Sequence, residues 1–367
     1  MKRIKSIILI SLLISLLFTG NLFAKGKEQK IKGQARVNFR SAVLYAREKK
    51  IDKALSFYLK VIEEYPDHVV SLFNIAGIYN NEAFENPDKA NELYAKSTEY
   101  YKKVISTMDA IPDWKEYEDF EKYRKEADKM IANQWNRTFK EAYELFYEEK
   151  YDESERIFNE LVKETPDSLK TYQMLAAIYD KKGDKAKQLE YFNLILAKNP
   201  NDEKVILNIA DDFYQSKNYP KAVEYFEKLI ILAPSNAEYT FFTGLSYLYM
   251  EKKDKALEYF EKTLAIDPKN VDALANAAYI AQSTNNDTKA TELLSKLYEA
   301  DQSEENLSTL CYHLSKVESW NEMIKYAEIW YNLNQTKKEP VQLLILGAMK
   351  TKNKALETKY TAILKKM

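Results

Sequence analysis

The sequence has few of the residues on which several common architectures and active sites depend. It contains one cysteine, two histidines, seven glycines and nine prolines in 367 residues. One cysteine excludes an intrachain disulfide framework and a multi-cysteine zinc site. Sparse glycine and proline disfavour a β-sandwich or barrel, which needs a turn about every 8–12 residues. With 55 basic against 56 acidic residues, the chain also lacks the excess positive charge typical of nucleic-acid-binding proteins, so no nucleic-acid partner is predicted.

The residues that are present favour an all-α protein. Hydrophobic residues make up 46% of the chain and charged residues 30%, so a core can be buried and broad disorder is excluded. The length suggests either two or three domains or one elongated architecture that grows without enlarging a single core.

The first 24 residues resemble a secretory signal peptide. Three basic residues precede an apolar run of twelve residues from Ile7 to Phe18, and Ala24 marks a cleavage site. The run is shorter than the roughly 20 residues of a membrane span. We therefore expect an exported protein, periplasmic or envelope-associated, with residues 25–34 as a polar linker and no integral membrane segment after cleavage. An uncleaved amino-terminal anchor is the alternative.

The chain repeats with a period of 34 residues. Prolines keep this interval, namely Pro166, Pro200, Pro234 and Pro268. Small residues keep it as well, namely Ala142, Ala176, Ala210, Gly244 and Ala278. So do the aromatic residues Phe158, Phe192, Phe226 and Phe260. Because independent residue classes share one period, the sequence predicts a repeat architecture.

Each repeat unit has the pattern of two helices. In residues 203–233, apolar side chains at helical spacing form one face, a polar turn follows, and a second amphipathic stretch ends before Pro234. The small residue of the first helix allows close approach, and the aromatic residue of the second fills the space between hairpins. Neither helix buries its apolar stripe alone, so the units must stack into a solenoid.

These residues resemble the tetratricopeptide repeat family. One unit carries its pattern as Tyr172, Leu175, Ala176, Tyr179, Phe192 and Pro200, although Gln188 replaces the expected alanine. Units begin near residues 35, 69, 135, 169, 203, 237, 271, 304 and 341. The resemblance implies a right-handed α-solenoid of about nine hairpins. We expect amino-terminal units over 35–80, a regular array over 135–302, and degenerate carboxyl-terminal units with a cap over 303–367.

Residues 81–134 depart from the repeat and form an irregular helical insert. The second helix of this unit is predicted to run long, from about Pro87 to Met108. Aromatic residues from Trp114 at helical spacing predict another helix before a unit that starts near Trp135. The insert is either a degenerate hairpin that preserves the stacking or a projection that binds a partner.

The residues that enzymes use are hardly available. Cys311 and His313 are two residues apart, which places them about 200° apart around a helix. Cys311 also occupies the small-residue position of its unit, as a core residue would. No two glycines lie within five residues of each other, so no phosphate-binding loop is present. The sequence therefore predicts a protein that is not an enzyme, with no cofactor and no metal.

The resemblance implies a ligand in the concave groove lined by the first helices. The expected groove residues are Lys204, Asn208, Asp211, Tyr214, Phe241, Leu245, Tyr249, Asn276, Tyr279 and Tyr312. The asparagines either bond the backbone of an extended peptide or follow an ordinary preference of the family. The aromatic residues in the middle of the groove are candidate anchors for a partner.

The favoured hypothesis is a non-catalytic scaffold or adaptor of the cell envelope that binds a partner peptide or protein. One alternative is an accessory factor for assembly or export of an envelope polysaccharide, with groove aromatics stacked on sugars. A second alternative is a hydrolase that uses paired carboxylates on a framework of helical hairpins.

Overall fold

The computed structural model describes residues 29–117 and 119–367, and within them the chain is all-α with no β-strand. The predicted signal peptide, residues 1–24, and the start of the predicted linker lie outside the described residues. In the part of the chain that is described, no helix combines the length and the apolar character that a membrane crossing needs.

The chain divides into two compact units, Met1–Gly183 and Asp184–Met367. The described helices of the first unit are α1 (Gly33–Arg47), α2 (Ile51–Glu64), α3 (Val69–Glu85), α4 (Ala90–Ala110), α5 (Phe120–Tyr147), α6 (Tyr151–Glu164) and α7 (Leu169–Lys182). Short 3₁₀ turns cover Pro87–Lys89 and Trp114–Glu116.

The second unit continues the helical pattern. Its helices are α8 (Lys185–Lys198), α9 (Glu203–Gln215), α10 (Tyr219–Leu232), α11 (Ala237–Tyr249), α12 (Lys253–Ile266), α13 (Val271–Ser283), α14 (Asp287–Ala300), α15 (Glu304–Lys316), α16 (Trp320–Leu333), α17 (Lys338–Lys350) and α18 (Lys354–Leu364). From α9 onward each helix packs against the next along the chain, as stacked hairpins do. The predicted all-α stack of tetratricopeptide-like hairpins is thus confirmed.

Each repeat begins and ends its helices with local signals. Two residues after each periodic proline, a side chain caps the first helix by accepting a backbone N–H; these caps are Ser168, Asp202, Asn236 and Asn270. The turn between the two helices of a hairpin contains one residue with φ between 56° and 74°; these are Lys49, Glu149, Gly183, Lys217, Glu251, Asn285, Glu318 and Lys352. Only one of the eight is glycine, although this left-handed region favours glycine.

The small residue and the aromatic residue of one repeat meet in the core, as the sequence predicts. A Cβ atom added to Gly244 on α11 would lie 2.9 Å from two ring carbons of Phe260 on α12. Phe260 is fully buried, as are Phe158 and Phe226 at equivalent positions. Close approach of the two helices therefore depends on a missing side chain at Gly244.

The insert differs in part from the prediction. The expected long helix is present as the 3₁₀ turn at Pro87 followed by α4, but the helix expected before Trp135 and the first helix of the next unit are one helix, α5, of 28 residues. The helix α5 continues through the predicted boundary at 134/135, because no glycine or proline interrupts residues 120–147. Trp114 lies outside this helix, since Asp113 and Asp119 both adopt left-handed backbone angles.

The amino-terminal half of α5 packs into the core of the first unit. Phe120 and Ala127 are buried in a cluster with residues of α3 and α4. The ring centroids of Phe73 and Tyr123 are 4.5 Å apart. Of the two interpretations of the insert, these contacts favour the degenerate hairpin that preserves stacking.

Candidate functional site

All ten residues of the predicted groove lie on first helices of hairpins in the second unit. Lys204, Asn208, Asp211 and Tyr214 lie on α9. Phe241, Leu245 and Tyr249 lie on α11, Asn276 and Tyr279 on α13, and Tyr312 on α15. The set therefore belongs to one compact unit.

Two of the ten residues meet in a cluster with a third tyrosine. The rings of Tyr219 and Tyr249 stack at 5.0 Å with an interplanar angle of 17°, and Tyr214 lies 6.2 Å from Tyr249. Tyr214 also presses edge-on against Phe242 at 5.3 Å. We call Tyr214, Tyr219 and Tyr249 the tyrosine cluster. Tyr219 was not predicted because it lies on the second helix α10, whereas Phe242 lies on α11 at the same repeat position as the predicted Asn208 and Asn276.

Within the tyrosine cluster, Tyr214 is half-buried and Tyr249 is exposed. Burial, together with the neighbouring Tyr249, raises the pKa of Tyr214 to about 12. Its hydroxyl therefore stays neutral and remains a hydrogen-bonding group. Tyr249 is 57% exposed. Nearby, partial burial and the charge of Glu238 raise the pKa of the Asp211 carboxyl above its ordinary value.

A second surface is formed by residues on the same face of successive first helices. Leu245, Tyr279 and Tyr312 follow one another at intervals of 34 and 33 residues, and Met349 on α17 lies three residues after the equivalent Leu346, on the same helix face. Tyr279, Tyr312 and Met349 expose 51–58% of their surface, and Leu245 is half-buried. We call these four residues the apolar stripe. Met349 was not among the predicted groove residues.

Phe241 belongs to the packing as much as to the surface. It is half-buried, and its ring centroid lies 5.8 Å from that of the buried Phe260. Tyr312 also has an inward contact, edge-on against Trp330 at 5.8 Å, but half of its surface remains exposed. Tyr279 and Tyr312 are therefore better probes of the surface than Phe241.

Asn276, and Asn74 at the same repeat position of α3, are engaged within their own helices. The side-chain amide of Asn276 donates to the carbonyl of Asp272 at 2.8 Å, and Asn74 donates to Val70 at 2.7 Å. These contacts use one N–H group each and favour the family preference over a peptide-binding role. Asn208 and Lys204 are exposed.

The cysteine and the histidine singled out in the sequence, Cys311 and His313, are buried in the core. Cys311 is fully buried, and burial raises the pKa of its thiol to about 12. His313 is buried, with its Nε2 3.0 Å from the hydroxyl of Thr291. Within residues 29–117 and 119–367, no group of three or more histidine, cysteine or carboxylate side chains is placed to hold a metal ion. Large exposed aromatic side chains are typical of binding surfaces.

Comparisons with known proteins agree with the repeat. Three family models described as tetratricopeptide repeat match residues 36–68, residues 139–203 together with 207–248, and residues 247–311. MamA from Desulfovibrio magneticus RS-1 is similar at 17% identity over 46% of this chain and 95% of that chain, with a TM-score of 0.38. PilF of Pseudomonas aeruginosa is similar at 16% identity over 57% of this chain and 96% of that chain, with a TM-score of 0.37. No curated protein sequence matches this chain.

Proposed function

We propose, since this chain belongs to the tetratricopeptide repeat family, that it is a non-catalytic scaffold that binds a segment of another protein on its second unit. The binding surface is formed by the apolar stripe and the tyrosine cluster. Family membership supports an interaction role, and the surface chemistry supports its location.

The observation that carries this proposal is the exposure of large side chains on neighbouring first helices. Tyr279, Tyr312 and Met349 each leave more than half of their surface in water, although the hairpins already bury a core beneath them. Tyrosine offers a large contact area at a small cost in side-chain entropy and is enriched at binding hot spots. An apolar segment of a partner would remove this surface from water.

Site-specific cross-linking in the native host cell tests this surface. Replacing Tyr279 or Tyr312 with p-benzoylphenylalanine places a photoreactive ring on the apolar stripe. The matched control is the same replacement at Ile231, which is 79% exposed but lies on the second helix α10. We expect a discrete adduct with one protein from the stripe positions and none from 231.

A substitution at a neighbouring stripe position provides a second test of the same surface. Tyr312→Ala should weaken the adduct formed from position 279, because both side chains would contact the same partner. Equal adducts from positions 231 and 279, or none at either stripe position, would remove the proposed surface.

We also propose that this scaffold works in the cell envelope. The support is the amino-terminal pattern of basic residues, a short apolar run and Ala24. Fractionation of the host cell and amino-terminal sequencing test it. The expected mature chain begins at Lys25 and is found outside the cytoplasm, whereas an intact amino terminus in the cytoplasmic fraction would contradict export.

A further inference from the structure

A ladder of four aromatic residues runs along the carboxyl-terminal half of α5, in the first unit. Its members are four residues apart, so they share one helix face; they are Trp135, Phe139, Tyr143 and Tyr147. Successive ring centroids are 5.1, 6.5 and 4.8 Å apart. The four rings therefore form a continuous aromatic row.

One end of this aromatic ladder contacts residues of α6 and the turn after it, and the other end is exposed to solvent. The indole N–H of Trp135 donates to the hydroxyl of Thr165 at 2.9 Å, and Phe139 meets the buried Phe158 edge-on at 5.2 Å. In contrast, Tyr143 is 39% exposed and Tyr147 is 66% exposed. The hydroxyl of Tyr143 donates to that of Tyr147 at 3.0 Å, which fixes the two exposed rings relative to each other. The surface is preorganised for a ligand.

The exposed end of the ladder lies in a strongly acidic part of the chain. Residues 141–155 contain seven carboxylates and a single lysine. Lysines 140, 150 and 182 form ion pairs with carboxylates of this stretch, and four negative charges remain in excess. Glu148 and Glu149 directly follow Tyr147, where the carboxyl end of a long helix adds a partial negative charge.

This acidity is particular to the α5–α6 hairpin rather than a property of every turn. The turn between α1 and α2, residues 47–53, carries four basic residues against two acidic ones. A solvated repeat surface alone does not explain why the most acidic stretch coincides with two exposed, fixed tyrosine rings.

We infer that the α5–α6 hairpin is a second docking surface, which takes an arginine- and lysine-containing segment of a partner protein. A guanidinium or ammonium group lies over the faces of Tyr143 and Tyr147, in a cation–π contact. The excess carboxylates attract the basic segment and accept hydrogen bonds from it. This surface lies in the first unit, so its ligand need not be the one bound by the second unit.

Fluorescence anisotropy with defined peptides tests this inference on the purified mature chain. The probe is a labelled peptide of repeated Arg-Ala-Ala triplets, and its matched control is the same peptide with glutamate in place of arginine. We expect the arginine peptide alone to bind, and to bind more weakly as NaCl rises from about 0.05 M to about 0.3 M.

Two pairs of substitutions separate aromatic recognition from charge alone. Tyr143→Leu with Tyr147→Leu keeps apolar bulk but removes the ring faces, and should weaken binding at least about fivefold. Glu148→Gln with Glu149→Gln should weaken binding by a similar factor. The control pair Tyr279→Leu with Tyr312→Leu, in the second unit, should leave the affinity of the arginine peptide unchanged.

Several results would overturn the inference. If the Tyr143/Tyr147 double variant bound the arginine peptide with wild-type affinity, the binding would be nonspecific charge attraction. An equal loss of affinity in the control pair would show that the effect is not specific to Tyr143 and Tyr147. Equal binding of the glutamate peptide, or competition by a neutral oligosaccharide, would contradict the proposed ligand class. Tyr147→Leu alone serves as the second variant, since this ring is the more exposed and its loss should leave the far-ultraviolet circular dichroism and melting temperature unchanged.

Discussion

The contact between Gly244 and Phe260 gives the sharpest test of how the hairpins pack. Gly244→Ala would place a methyl group 2.9 Å from two carbons of the Phe260 ring. That ring is fully buried and is itself in contact with Phe241, so it has little room to withdraw. Alanine gains about 1 kcal/mol of helix propensity over glycine, but overpacking a core costs about 1–3 kcal/mol. We expect a net local destabilisation of about 1 kcal/mol.

A double-mutant cycle isolates this contact. Phe260→Leu should be destabilising alone. In the Gly244→Ala background it removes the clash while the gain in helix propensity remains. The two changes should therefore compensate each other by about 1–3 kcal/mol. Ala278→Gly, at the equivalent position of α13, is the control for propensity and should cost about 1 kcal/mol.

Native-state hydrogen exchange of the α11 and α12 amides is the suitable assay, because a stack of repeats need not unfold in one step. Additive changes in the cycle, together with a Gly244→Ala variant as stable as the wild type, would refute the argument that a missing side chain sets this helix approach.

Three further predictions concern single sites. Gln188 is buried with its carbonyl oxygen lacking a hydrogen-bond partner, so Gln188→Met should raise the free energy of unfolding by about 1–2 kcal/mol, measured by denaturant titration; an unchanged value would contradict it. Glu251 has φ of 60°, so Glu251→Gly should raise the melting temperature through a gain of about 0.5–1 kcal/mol, whereas the reverse change Gly183→Glu should lower it. Burial lowers the pKa of the His68 imidazole to about 4, below its unfolded value near 6.5. The unfolded state therefore binds a proton first, and stability that is complete above about pH 6.5 should fall by about 3 kcal/mol as the pH drops to about 4. His68→Asn retains a residue suited to cap α3 but should flatten this pH dependence in thermal melts.

The regular repeats were predictable because their determinants are local. Pro234, the capping Asn236 two residues later, and the helical spacing of apolar residues specify where a first helix begins without reference to distant parts of the chain. The small residue at 244 and the aromatic residue at 260 are close enough in sequence for one hairpin to bring them together.

The insert was less predictable because its helices do not follow the 34-residue period. The sequence predicts a break near Trp135, but α5 continues through it, since propagation of an uninterrupted helix is favourable when no residue breaks it. This continuity places the aromatic residues after Trp135 on one rigid helix with the buried Phe120.

The sequence by itself determined the helical hairpin, its 34-residue period and the faces that each helix buries, because these follow from spacing, caps and side-chain size within about one repeat. Only the tertiary structure decided which side chains meet in space. It stacked Tyr219 on Tyr249 from different helices, and it turned the ring of Phe241 toward Phe260. It also left Tyr143 and Tyr147 in water while burying the far end of their row. Such outcomes depend on how neighbouring helices pack, and helix packing is a property of the folded unit rather than of any single stretch of sequence.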